Sequence, residues 1–179
     1  GAILVTRPPT GEILSMVGSV DYFASPSGAF NVTTADRQPG SAIKPINYAI
    51  GLERKLVTPA TLFLDIPTCF FAAGQPIKYC PKNYDGVFHG AAQLRFALGN
   101  SYNIPAVKML AINGVENFVA SSSAFTMTTF KDPKNYGLSL TLGGGEVKMT
   151  EMAQAFSSFP NRGIPKKLIA ILEVKNKKG

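Results

Sequence analysis

Arg37-Gln38-Pro39-Gly40-Ser41-Ala42-Ile43-Lys44-Pro45 sets a proline and a glycine just before a serine and follows that serine with a lysine three residues on. Beyond it, Ile43, Ile46, Ile50 and Leu52 recur at near-helical spacing through Arg54, which predicts an amphipathic helix beginning close to Ser41. Pro45 agrees with that start, because a residue without an N–H is tolerated in a first helical turn and disruptive deeper inside. Ser41 is therefore expected at the helix N-terminus, with Lys44 on the same face one turn away. A serine hydroxyl is a poor nucleophile until a base takes its proton. A lysine serves as that base when burial or neighbouring positive charge keeps its amine neutral, and the helix N-terminus adds a favourable dipole. Alone, Ser-x-x-Lys is a weak pattern that a solvated helix lysine produces by chance.

Ser101-Tyr102-Asn103, about sixty residues later, adds a second hydroxyl and an amide at a break between two helical segments. Such a pair suits proton relay between Lys44 and a leaving amine, with the Asn103 side chain hydrogen-bonding a substrate amide. The plainer reading is a helix cap at Ser101 and an incidental Asn103. Taken together, Ser-x-x-Lys followed by Ser-x-Asn is the order found in penicillin-binding proteins and class A β-lactamases.

Outward from these motifs, Ile3 to Arg7 and Glu12 to Val17 read as a hairpin around Pro8-Pro9-Thr10-Gly11. Gly18 to Gly40 reads as a surface connection, and Thr58 to Gly90, rich in proline and glycine, as a long irregular stretch. Helical patterning is expected over Ala91 to Leu98 and again from Pro105 to Ile112. Leu138 to Leu142 leads into Gly143-Gly144-Gly145 and a helix from about Val147 to Phe159, stopped at Asn161-Arg162-Gly163. The glycine run is a turn feeding that helix, since no phosphate-loop Gly-Lys-Ser/Thr follows. Met149, Met152 and Phe156 are expected in the core. Leu168 to Val174 is β-prone, and Asn176 to Gly179 reads as a hairpin turn whose return strand lies further on. With no repeat or linker evident, residues 1–179 are expected to form one incomplete α+β domain.

The 179 residues are 45% hydrophobic, enough for a buried core, and carry a net charge of +7 spread along the chain. A diffuse basic excess suits a solvated surface or attraction to an anionic envelope; no nucleic-acid partner is expected. No apolar run approaches a bilayer span. Residues 1–17 lack a signal peptide's pattern, which places any export signal or anchor upstream. Cys69 and Cys80 are spaced so that a loop could pair them in an oxidising compartment, and two free thiols fit equally well. With one histidine, His89, and no metal-ligand spacing, neither a metal nor a cofactor is expected. His89 also lacks the surroundings of a Ser/His/Asp triad and reads as a surface or loop residue.

The segment Arg37 to Pro45 resembles the nucleophile segment of class A, bifunctional penicillin-binding proteins. Asn83-Tyr84-Asp85-Gly86, Leu94-Arg95 and Ala97 to Val107 resemble the stretch carrying that family's second motif, and Tyr136 to Val147 resembles its approach to a later helix. The likeness runs from Thr10-Gly11-Glu12-Ile13-Leu14 to the end of the chain in family order, and the second and third stretches favour a transpeptidase over a β-lactamase. It implies the penicillin-binding protein/β-lactamase-like transpeptidase fold, in part. It also implies an acyl-serine D,D-transpeptidase of the outer face of the cytoplasmic membrane, with Ser41 as nucleophile, Lys44 as base, and Ser101 and Asn103 assisting. Peptidoglycan stem peptides would be the substrates, and β-lactams would acylate the same serine.

Two departures stand against the family pattern. No Lys-Thr-Gly or Lys-Ser-Gly occurs in the 179 residues, and Ala42-Ile43 replaces the family's commoner Ser-Phe. The chain is therefore expected to be a poor enzyme alone and to need a partner segment or to self-associate. The rival reading is a non-catalytic remnant or scaffold module of the envelope. A Lys-Thr-Gly downstream in the gene would favour the enzyme.

Overall fold

The computed structural model describes residues 1–71 and 78–176. Gly74 and Pro76, within the expected cysteine loop, and Lys177, Lys178 and Gly179 of the expected closing turn lie outside them. In chain order the elements are β1 (Ile3–Arg7), β2 (Glu12–Val17), β3 (Asp36–Arg37), α1 (Lys44–Glu53), β4 (Leu62–Asp65), β5 (Gly90–Gln93), α2 (Leu94–Gly99), α3 (Asn103–Asn113), α4 (Val115–Ser122), β6 (Val147–Lys148) and α5 (Met149–Ser157). Short 3-10 turns occupy Val32–Thr34, Gly40–Ile43, Ser123–Phe125, Pro133–Asn135 and Leu138–Leu142. Contacts gather into two compact units, one of Gly1–Arg37, Ser122–Phe130 and Glu146–Gly179, the other of Gln38–Ser121 and Lys131–Gly145.

In the first unit β1 and β2 form the expected antiparallel hairpin, with a register irregularity between Val5 and Thr6. Gly11 closes its turn at φ 83°, a conformation open to glycine and strained for residues with a Cβ. β3 pairs with β6, matching Arg37 to Val147, and α5 follows directly. Buried Glu151 of α5 accepts from the Thr128 N–H and hydroxyl at 3.2 and 2.6 Å, tying that helix to the preceding loop.

The second unit is built around α1 and α3. Ile43, Ile46 and Ile50 are fully buried, as their spacing requires, while Leu52 is half-buried. Tyr48, Val57, Phe63, Leu94, Ala106 and Met109 form one packed cluster with α2 and β4. Side-chain amides link the two helices in this core: Asn47 donates to Ala106 O at 3.0 Å and to the Thr141 hydroxyl at 2.9 Å, and Asn113 donates back to Asn47 O at 2.8 Å. Such bonds hold α1 and α3 in register, because a buried amide left unpaired costs about 1–3 kcal/mol. Cys69 and Cys80 are joined in a disulfide, with Cα atoms 4.2 Å apart, which decides between the two readings left open by their spacing.

Several local expectations are corrected. Ala91 to Gln93 belong to a strand, because they pair with Leu62–Leu64; the helix begins only at Leu94, whose N–H donates to Thr61 O. The alanine-rich run favours a helix, and the ladder overrides it. Likewise Val147 and Lys148 pair with β3, so that helix starts at Met149. Met149 and Met152 are half-buried and Phe156 is exposed, while α5 turns Glu151, Ala155 and Ser157 inward. Leu138 to Leu142 forms a 3-10 turn, and Val115–Ser122 is a helix where none was expected. From Leu168 to Val174 only Ile169 bridges to another strand, at Glu12, and Ile171, Leu172 and Val174 are exposed. A β-prone run becomes a strand only where a partner edge is available.

Candidate active site

Ser41 lies in the 3-10 turn Gly40–Ile43 that runs directly into α1, so the expected helix start is present in a tighter first turn. Ser41 lines a cavity of about 410 Å³ together with Asn83, Tyr84, Asp85, Asn100, Ser101, Tyr102 and Asn103. One turn on, Lys44 is only 1% exposed. Its Nζ donates to Ser101 O at 2.6 Å, to Ser101 Oγ at 3.1 Å and to Asn103 Oδ1 at 2.6 Å. The three ammonium protons thus have three acceptors, none of them a carboxylate. Burial without a counter-charge lowers the Lys44 pKa from 10.5 to about 8, because desolvation disfavours the charged form. Lys44, Ser101 and Asn103 are therefore brought together, and Ser41 lines the same cavity as Ser101 and Asn103. Among the described residues Ser41 makes no side-chain hydrogen bond, so the serine–lysine contact suggested by helical spacing is not formed.

The turn carrying Ser101 has its own logic. α2 ends with the Ser101 N–H on Leu98 O at 3.0 Å and the Tyr102 N–H on Ala97 O at 2.9 Å, which is the Schellman closure. That closure puts Ser101 in the left-handed region at φ 56°, where glycine is the usual occupant. A serine there costs roughly 1 kcal/mol relative to glycine, and it holds a hydroxyl against the buried amine. Asn103 then opens α3, its side-chain N–H donating to Lys82 O at 2.7 Å and its backbone N–H to Asn83 Oδ1 at 2.7 Å.

Two further features were missed in the sequence. Gly143, at φ 91°, packs so tightly against Gly40 that a Cβ on it would fall on the Gly40 backbone nitrogen and Cα. The glycine run is thus shaped by close approach to the residue preceding Ser41 as well as by a turn. His89, read as a bland loop residue, has its side chain 27% exposed and engaged on both ring nitrogens, with Asp65 at 2.9 Å and Asp85 at 3.1 Å. The Asn-Tyr-Asp-Gly segment was the available signal for this cluster, though nothing in it pointed to Asp65. Among the described residues no group of three His, Cys, Asp or Glu side chains is placed to hold a metal ion.

This mixed helix-and-strand arrangement is that of penicillin-binding transpeptidase domains, in part. The chain belongs to the penicillin-binding protein transpeptidase domain family, whose model matches residues 1–178. It is 32% identical over 169 residues to penicillin-binding protein 1C of Escherichia coli, covering 93% of this chain and 21% of that protein. Penicillin-binding protein 1A of Rickettsia prowazekii is 33% identical over 163 residues, 91% of this chain and 20% of that protein. Among solved structures, penicillin-binding protein 1A from Haemophilus influenzae superposes with a TM-score of 0.78 at 31% identity, covering 89% of this chain and 23% of that one. The Mycobacterium tuberculosis PonA1 protein, solved with penicillin V, shares the fold at a TM-score of 0.76 and 16% identity, over 93% of this chain and 45% of that one. The chain thus spans about a fifth of the length of these curated relatives, and the transpeptidase fold expected from the sequence is present in part.

Proposed function

We propose that this chain carries the nucleophile half of a serine D,D-transpeptidase site that cross-links peptidoglycan stem peptides and is acylated by β-lactams. The observation that supports it most is Lys44: a buried amine with no counter-charge, pKa lowered to about 8, bonded to Ser101 and Asn103, which line the same cavity as Ser41. In its neutral form Lys44 has two N–H donors and one lone pair. Of its three partners only the Ser101 hydroxyl can reverse and donate, leaving Ser101 O and Asn103 Oδ1 as acceptors. Lys44 then takes the Ser41 proton by way of the Ser101 hydroxyl, which passes its own proton on, as Ser41 Oγ bonds to the carbonyl carbon of the penultimate D-alanine. The developing oxyanion is received in part by the Ser41 backbone N–H, where an oriented donor is worth about 3 kcal/mol or more. The C–N bond breaks as Lys44, through Ser101 Oγ, returns a proton to the departing D-alanine amine. An amine of a second stem peptide attacks the acyl-serine carbonyl carbon, giving up a proton to Lys44 through Ser101 Oγ, and the ester C–O bond breaks as that proton returns to Ser41 Oγ. The second hydrogen on Asn103 Nδ2 remains to orient a substrate amide.

Such chemistry would be carried out on the cell wall, at the outer face of the cytoplasmic membrane. Among the described residues no helix is long and apolar enough to cross a membrane. Lacking a Lys-Thr/Ser-Gly strand, the chain should acylate slowly by itself and faster when a segment bearing one is added. Mass spectrometry after incubation with penicillin tests the assignment: the adduct is expected on Ser41 and absent from Ser41→Ala. Label on another serine, or undiminished label in Ser41→Ala, would overturn it.

A further inference from the structure

We propose that His89, clamped between Asp65 and Asp85, is a positioning residue that holds the Ser101–Asn103 turn in place for acyl transfer; this deepens, and rests on, the transpeptidase reading. The His89 ring stacks on the Tyr102 ring, with centroids 4.1 Å apart and planes within 10°. Tyr102 is the central residue of the turn that presents Ser101 and Asn103 to Lys44. A carboxylate only accepts, so His89 Nδ1 is the donor to Asp65 Oδ2 at 2.9 Å, and the His89 backbone N–H reaches the same oxygen at 2.9 Å. Nε2 faces Asp85 Oδ2 at 3.1 Å. The ring is therefore oriented from both edges before it meets Tyr102.

The same buried carboxylate reaches the turn by a second route. Asp65 is fully buried, and its Oδ2 also accepts from Asn83 Nδ2 at 2.7 Å. Asn83 in turn takes the Asn103 backbone N–H on its Oδ1 at 2.7 Å. One anchor at the end of β4 thus holds Tyr102 by its ring, through His89, and Asn103 by its backbone, through Asn83. Ser101 between Leu98 and Tyr102 is in a conformation that its own side chain disfavours, at φ 56°. A turn under such local cost stays in one conformation only when its surroundings over-determine it. Neither Asp65 nor His89 lines the Ser41 cavity or bonds Lys44, so they act through the turn.

The test uses His89→Ala, Tyr102→Leu and the double variant of the protein, read by amide exchange and by single-turnover acylation with a fluorescent penicillin. Either single variant should speed exchange of the Asn103 N–H by about tenfold while leaving Met109 and Leu110 in the core of α3 unchanged, and the double should add little, since coupled neighbours are not additive. The acylation rate constant should fall by a similar factor with the final labelled fraction retained, which a merely unfolded subpopulation would not produce. Unchanged exchange at Asn103, equal acceleration at Leu110, or losses that multiply in the double variant would each overturn the proposal. If wild-type Ser41 takes no label, the transpeptidase reading fails, while the exchange measurements still decide whether His89 positions the turn. Tyr102→Leu keeps every donor to Asp65, so the question survives should His89→Ala fail to fold.

Discussion

Raising the pH should stabilise this protein through one side chain, Lys44. Its folded pKa of about 8 lies below the value of 10.5 expected in the unfolded chain. At pH 7 both states carry the proton, and the folded state bears the whole cost of a buried ammonium, on the order of 3 kcal/mol for a displacement of that size. Between pH 8 and pH 10.5 the unfolded chain holds a proton that the folded chain has released, so stability rises with pH across that window. Above 10.5 neither state is protonated there and the cost is gone. Tyr48 acts in the opposite sense: burial, reinforced by the Asp65 charge, pushes its pKa up, so it opposes folding at high pH. Lys108, lowered by burial and partly restored by Asp65, adds a small contribution of the same sign as Lys44. Urea unfolding of wild type and Lys44→Met, measured in parallel from pH 7 to 10.5, cancels those terms. The wild-type-minus-variant difference should grow by about 3 kcal/mol over that range. The same displacement puts roughly one amine in ten in the neutral form at pH 7, against about one in 3,000 for an ordinary lysine, a gain of roughly 300-fold in available base. A flat difference curve, or a rise beginning only near pH 10.5, would show that the amine is solvated and refute the argument from burial.

Three further outcomes are expected. Ser101→Gly should raise stability by up to about 1 kcal/mol, because it relieves the left-handed serine, yet slow penicillin acylation at least tenfold by removing the relay hydroxyl; thermal unfolding and labelling kinetics read the two effects separately. Gly143→Ala should destabilise the protein by about 2 kcal/mol or more, since a Cβ collides with the Gly40 backbone and φ is 91°; a wild-type Tm would contradict it. Cys69→Ser should lower stability by roughly 2–3 kcal/mol, the chain-entropy value for so short a loop, and reductant should lower the Tm of wild type to match the variant.

The residues around Ser41 and Lys44 show why part of this molecule was legible without coordinates. Helical spacing, a first-turn proline and the hairpin turn at Pro8 to Gly11 are local signals, and α1, β1 and β2 formed where those signals lay. Motif order carried the family for the same reason, since each motif is contiguous. Where pairing with a distant segment competed with local preference, the local reading failed: Ala91 to Gln93 joined β4, Val147 and Lys148 joined β3, and Leu168 to Val174 found little to pair with. The site divides along the same line. Spacing placed Ser41 and Lys44 on one helical face, but only folding turned the Lys44 amine away from solvent and onto Ser101 and Asn103, 57 and 59 residues on. The Asp65 to His89 contact spans 24 residues and has no periodic signature, because a hydrogen bond requires two atoms to meet and leaves the chain between them unconstrained. Sequence by itself determined the β1–β2 hairpin, the helix that follows Ser41, the motif order and the family. Burial of the lysine, the strained Ser101 turn and the clamp around His89 were decided by tertiary packing, since desolvation and long-range hydrogen bonds exist only once distant segments exclude water together.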